Sequence, residues 1–174
     1  MPQLIKDGAI VADRWTLFRE ASRDLAPDCA AIVPLAWWSE QRSALLARGE
    51  VGVWLAPDAD PQALAADIGS LPLIAVDFPQ FTDGRGYSIA RLLRERYGFA
   101  GELRAIGEVL RDQLFYLRQC GFNAFALRSE RNLEDALRGL RDFSDSYQAT
   151  AATPLPLFRR RGASPAPGAT PERR

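Results

Sequence analysis

Five times along this chain a short apolar run gives way to a segment with helical spacing, and that alternation constrains the fold more than any single motif. The runs are 30–35, 51–55, 73–77, 103–107 and 124–127. Continuous apolar runs of this length read as strands covered on both faces. Strands in series with helices between them return by right-handed crossovers, so the sheet is parallel. The expected class is α/β: about five repeated strand–helix units, with the sheet either open and doubly wound or curled into a partial (β/α) barrel. Ahead of these units, Asp7-Gly8 lies between two strand-like pieces and predicts a small N-terminal hairpin within Leu4 to Trp15.

Local punctuation supports the alternation. Gly49 and Gly98 read as helix stops, Pro61 as a first helical position, and Asn132 as the cap of a helix with Leu133, Leu137 and Leu140 on its buried face. Ser88 reads as the cap of a helix over Ile89 to Tyr97. A helix is also expected over Glu108 to Gln119, with Leu110, Leu114 and Leu117 on one side. One α/β domain over residues 1–146 is expected. Beyond it, residues 147–174 turn to Ala, Thr, Pro, Gly and Arg, a composition that predicts a disordered tail. Within that tail, Arg159 to Arg161 read as solvated charge.

Composition excludes more than it selects. The chain has no histidine, which removes Ser-His and Cys-His nucleophile pairs, histidine metal sites and the usual base at neutral pH. Its two cysteines, Cys29 and Cys120, make neither a C-x-x-C nor a four-cysteine metal set. Cys120 closes an apolar helix and reads as a buried, inert thiol. Acidic and basic residues balance at 22 each, so no overall field favours nucleic acid or an anionic membrane. A signal-peptide core and a membrane-length apolar run are both missing, which predicts a cytoplasmic protein.

The connection after the third run is where function is expected. It reads Asp77-Phe-Pro-Gln-Phe-Thr-Asp83-Gly-Arg-Gly-Tyr-Ser88 and is long for a strand-to-helix link. Asp83, Gly84, Arg85, Gly86 and Ser88 place flexible backbone and a guanidinium before a helix start, a setting suited to sulfite, sulfate or phosphate. In the plainer alternative Arg85 pairs with Asp83 or Asp77 and Ser88 only caps the helix. Glu108 and Asp112, four apart, would share a helix face near Arg104 and Arg111, either as a carboxylate pair with one raised pKa or as a structural network of Arg104, Glu108 and Asp112. Trp37 and Trp38 stand at the predicted rim, for stacking or for core packing, and Phe78 and Phe81 flank Pro79 in the loop.

The pieces F-P-x-F-x-D-G-R-G-x-S and D-Q-L-x-x-L-x-x-C-G-F carry a resemblance that extends from Ala30 to Phe143. Here the chain resembles a bacterial family of uncharacterised proteins labelled as a probable oxidoreductase of sulfite reduction. Matching positions are Phe78, Pro79, Phe81, Asp83, Gly84, Arg85, Gly86, Ser88, Arg104, Gly107, Asp112, Gln113 and Gly121. In that family the genes commonly lie beside those of assimilatory sulfite reductase. The resemblance therefore implies a place in sulfate assimilation. The leading expectation built on it is an accessory protein that binds sulfite reductase subunits or an oxyanion through the loop after the third run and the neighbouring strand ends, at Asp77, Phe81, Asp83, Gly84, Arg85, Gly86, Ser88, Arg104, Glu108, Asp112 and Gln113. The alternative is a flavin- or nicotinamide-dependent oxidoreductase of the same pathway. Such an enzyme would hold its cofactor without a G-x-G-x-x-G loop, which this chain lacks. A homo-oligomer is a third expectation, because an open five-stranded sheet leaves edges to cover.

Overall fold

A two-residue link between the outermost strands sets the shape of this molecule. The computed structural model describes residues 2–21, 25–26, 28–127 and 132–140. The loop beginning at Arg128 and the expected tail, with Arg159 to Arg161, lie outside them. Eight strands form one sheet: β1 (Gln3–Lys6), β2 (Ala9–Ala12), β3 (Trp15–Leu17), β4 (Ala30–Pro34), β5 (Val51–Leu55), β6 (Leu73–Phe78), β7 (Glu102–Gly107) and β8 (Ala124–Phe125). Their order is β2-β1-β8-β7-β6-β5-β4-β3. Laid flat, the two edges would stand about 34 Å apart at about 4.8 Å per strand. Yet β2 and β3 are those edges, and Asp13 and Arg14 alone join them, a link that reaches at most about 11 Å. The sheet must therefore curl until its edges approach, which makes a half-barrel.

Pairing from β3 to β8 is parallel throughout, as the apolar runs predict, whereas the hairpin β1–β2 joins β8 antiparallel. The hairpin turn is the expected Asp7-Gly8, with φ of 49° and 78°, the paired left-handed conformations of a two-residue hairpin loop. An eight-stranded half-barrel stands in place of the open five-stranded sheet of the homo-oligomer argument, with β2 and β3 as its two edges.

Helices α1 (Leu35–Arg48), α2 (Arg85–Arg91), α3 (Leu114–Gln119) and α4 (Leu133–Gly139) complete the α/β class. No helix among the described residues is long and apolar enough to cross a membrane. Strand order rises steadily from β3 to β8, so right-handed crossovers leave the helices on one face, and the doubly wound alternative does not apply. The helix-covered face holds the main core, including Val33, Val53, Ile74, Val76, Phe78, Leu103 and Phe125. Alternate residues face the hollow, where Ile32, Leu73, Ala75 and Ile106 are buried with Trp15, Leu17, Trp54 and Ala126 against them.

Three expected helices differ. Pro61 opens the segment after β5 as predicted, with Asp60 capping it, but it stays a 3₁₀ turn, Pro61–Leu64. The Asp67 carboxylate that follows is drawn to α1, taking the Trp38 indole N–H at 3.2 Å and the Arg42 guanidinium. Helix α2 begins at Arg85, so Ser88 lies inside it and is not its cap; Asp83 Oδ1 takes the Arg85 amide at 3.1 Å instead. The segment over Glu108 to Gln119 is delayed, with a 3₁₀ turn at Arg111–Gln113 leading into α3. Gly107 at φ 92° and extended Leu110 hold Glu108 out of any helix. Asn132 does cap α4, accepting from the amides of Glu134 and Asp135.

Candidate functional site

Two places near the end of β6 bring functional groups together, one on each side of the sheet. Inside the hollow, β7 directs Glu102, Arg104 and Ile106 inward, since residues two apart on a strand share a face. The Arg104 side chain is only 3% exposed; it donates to Glu102 at 2.7 Å and to Asp13 at 2.9 Å. Lys6 reaches the other Glu102 oxygen at 2.7 Å. A guanidinium so far from water is tolerable because it is paired and hydrogen-bonded. Asp13 belongs to the link between the edge strands, so this ion network also fastens the curl.

Next along the hollow is Asp77, which faces inward beside Ile106. Arg19 meets its Oδ2 at 2.8 Å and also lies over the Trp54 ring, 5.3 Å from the centroid. Above them a cleft of about 390 Å³ is lined by Trp15, Leu17, Arg19, Ile32, Ile106 and Glu108, among others. A second, of about 500 Å³, extends past Lys6, Val11 and Glu102. Asp13, Trp15 and Arg104 line both. The first lies where the rule for parallel sheets expects a ligand, outside the carboxyl ends of the strands.

On the outer side, the loop after β6 is held from several directions. Phe78 packs on the rings of Tyr87 at 5.4 Å and Phe122 at 5.9 Å. Gly86 is required here, since a Cβ would stand 2.6 Å from the Phe78 ring. The Gln113 side chain donates to the Phe81 carbonyl at 2.8 Å and accepts from the Leu110 amide at 3.0 Å. Phe81 itself remains 59% exposed, and Tyr116, one turn after Gln113, is 58% exposed. Asp83 and Arg85 form a forked pair, with contacts of 3.0 and 2.7 Å. The Arg85 guanidinium holds the Asp83 carboxyl below its ordinary range, and Asp83 in turn raises Arg85. Arg85 thus pairs with Asp83, as the plainer alternative for this loop has it, and Gly84 precedes the first turn of α2.

Other candidate residues separate. Glu108 lines the cleft, whereas Asp112 is exposed on the 3₁₀ turn, so the two share no helix face. The expected network of Arg104, Glu108 and Asp112 is replaced by Arg104, Glu102 and Asp13, because β7 turns Arg104 into the hollow. Trp37 and Trp38 are both buried in the core and do not form a stacking rim. Cys120 is buried, and burial pushes its thiol up. Among the described residues no group of three or more His, Cys, Asp or Glu could hold a metal ion. Sequence reasoning missed Asp13, Arg19, Trp54 and Glu102. The signal for Glu102 was its spacing of two from Arg104 on a strand.

Residues 52–158, more than half of the chain, match the family described as bacterial proteins of unknown function (DUF934). The chain belongs to that family. No curated protein matches it. The DUF934 span contains β6, its loop, Arg104, Glu102 and Gln113, while Lys6, Asp13 and Arg19 precede it. Thus the aromatic loop lies wholly within the DUF934 span, and the hollow is completed by residues before it. Chemically, both places offer recognition: paired charges and aromatic surface in the hollow, exposed rings on a tied loop outside.

Proposed function

We propose that this DUF934 protein is a cytoplasmic accessory protein of assimilatory sulfite reduction that docks on the reductase through the loop after β6. The pathway rests on the resemblance of the F-P-x-F-x-D-G-R-G-x-S and D-Q-L-x-x-L-x-x-C-G-F pieces. The mode of action rests on one observation: Phe81 stands exposed on a loop whose backbone is tied by Gln113 and whose base is packed through Phe78. A large aromatic ring presented from a preorganised loop is the kind of anchor that dominates protein interfaces. Arg85 already has its fork on Asp83, which favours a protein partner here over a free oxyanion.

The test is binding of the purified chain to purified sulfite reductase by interferometry. Phe81→Ala should raise Kd at least tenfold, as for an interface anchor whose loss costs about 2 kcal/mol. Arg85→Ala, which breaks a surface tie, should weaken binding less. No saturable binding of the wild type to the reductase, or equal binding by the Phe81 variant, would refute the reading. An absorbance spectrum of the same preparation covers the alternative, because a bound flavin band would transfer the role to an oxidoreductase.

A further inference from the structure

Among the described residues the exposed large apolar side chains are Leu46, Phe81, Leu92 and Tyr116, and the last three gather on one face. Gln113 ties the Phe81 carbonyl to the turn before α3, and Tyr116 follows Gln113 by one helical turn. The Tyr116 ring meets Tyr87 of α2 edge-on at 4.9 Å. One turn beyond Tyr87 stands Arg91, within electrostatic range of the Tyr116 hydroxyl, and Leu92 is the next residue. There α2 continues as a π-helix, Leu92–Arg96, in which Leu93 takes the buried side and Leu92 is left 39% exposed. A shallow groove of about 450 Å³ runs along Ser88, Arg91, Leu92, Glu95 and Arg96, positions three and four apart that share one side of a helix. Apolar surface gathered in this way marks an interaction site, as singly scattered side chains do not.

The charges on this face do not cancel. The whole chain balances 22 basic against 22 acidic residues, but from Arg85 to Arg96 four arginines stand against Glu95 alone. Asp83 answers Arg85, and Glu95 answers Arg91. Arg94 donates to the carbonyls of Phe99, Gly101 and Gly121, which carry no charge. Arg96 lies over the Tyr97 ring and has no carboxylate partner among the described residues. We propose, resting on the docking role argued above, that the same partner covers more than the loop: the surface continues from Phe81 through Tyr116 onto the α2 groove and seats an acidic segment of the reductase, whose apolar side chains meet Tyr116 and Leu92 and whose carboxylates meet Arg96. A basic segment would meet cations that no carboxylate of this face offsets, and such like-charge contacts exclude wrong partners.

The experiment is interferometry of the full chain against purified sulfite reductase, at about 50 mM and about 500 mM salt. Leu92→Gln and Tyr116→Ala should each raise Kd about fivefold or more. Arg96→Glu should slow association at least about threefold at the lower salt and approach the wild type at the higher, because a charge at the rim acts through screened steering. Arg96 is exposed, so its reversal leaves the fold in place and decides the matter if either apolar variant does not fold. Wild-type binding that Phe81→Ala weakens, but that either Leu92→Gln or Arg96→Glu leaves unchanged, would overturn the extension and leave the docking role standing. Faster association of the Arg96 variant would overturn the acidic assignment. No saturable binding of the wild type would overturn both.

Discussion

Replacing Arg104 by methionine removes the cation at the centre of the hollow and keeps most of its volume. Two carboxylates then change state. Asp13 loses the 2.9 Å contact and keeps the Trp15 amide at 3.0 Å, while Glu102 loses both guanidinium bonds and keeps Lys6 at 2.7 Å. Breaking a buried ion pair by deleting one partner costs about 3–5 kcal/mol, mostly for the charge left behind. Because Lys6 still serves Glu102, the low end, about 3 kcal/mol, is expected here. For a chain of this size that lowers Tm by roughly 6–12 °C. Urea unfolding followed by circular dichroism measures the loss directly. Asp13→Asn supplies an internal control with a change of sign: it should destabilise the wild type and stabilise the Arg104→Met variant, where a neutral amide relieves the abandoned charge. A loss under about 1 kcal/mol, or the same sign in both backgrounds, would show that the network does not hold the curled edge as described.

Gly107→Ala should cost about 2–3 kcal/mol, because φ is 92° and the new Cβ would press on the Phe78 carbonyl oxygen. Urea midpoints would report it, and an unchanged midpoint would rule out the close approach of β6 and β7. For Asp67, hydrogen bonds from Arg42 hold the carboxyl below its ordinary range. A depressed folded value means that its contribution is present above the unfolded value, about 3.9, and is lost as pH falls through the folded one. Arg42→Ala should therefore lower stability near neutrality and flatten the acid limb below about pH 4; an acid limb identical to wild type in urea titrations would contradict this.

The parallel strands were legible because each is covered on both faces and so reads as an unbroken apolar run: Val51–Leu55 appears with its predicted bounds, and Leu73–Phe78 extends the expectation by one residue. The hairpin was legible because Asp7-Gly8 demands left-handed backbone. β3 was not, since three residues, Trp15–Leu17, carry no periodicity and pair only because the chain crosses to the far edge. The site was legible on its outer side, where Asp83, Arg85, Gln113 and Phe81 are close in sequence or tied by one bond. The inner side depends on Arg104 meeting Asp13 across 91 residues, which local patterns do not encode. Helical spacing after β7 was misread for a related reason, since the positive φ of Gly107 and the extended Leu110 interrupt it before the leucines Leu114 and Leu117 take it up.

The two candidate sites share a strand end, and the pleat of that strand separates them. Asp77 turns into the hollow while Phe78, the next residue, turns outward onto Gly86, Tyr87 and Phe122. The Phe78 carbonyl accepts the Glu108 amide at 2.7 Å, which fixes the end of β6 against the turn after β7. With the Phe78 ring against Gly86 and its backbone tied to Glu108, the residue acts as a rigid spacer between the interior carboxylate and the exposed Phe81. Asp77 is paired with Arg19 and Phe81 is tied to Gln113, with no partner in common, so changes at Asp77 and at Phe81 should add independently.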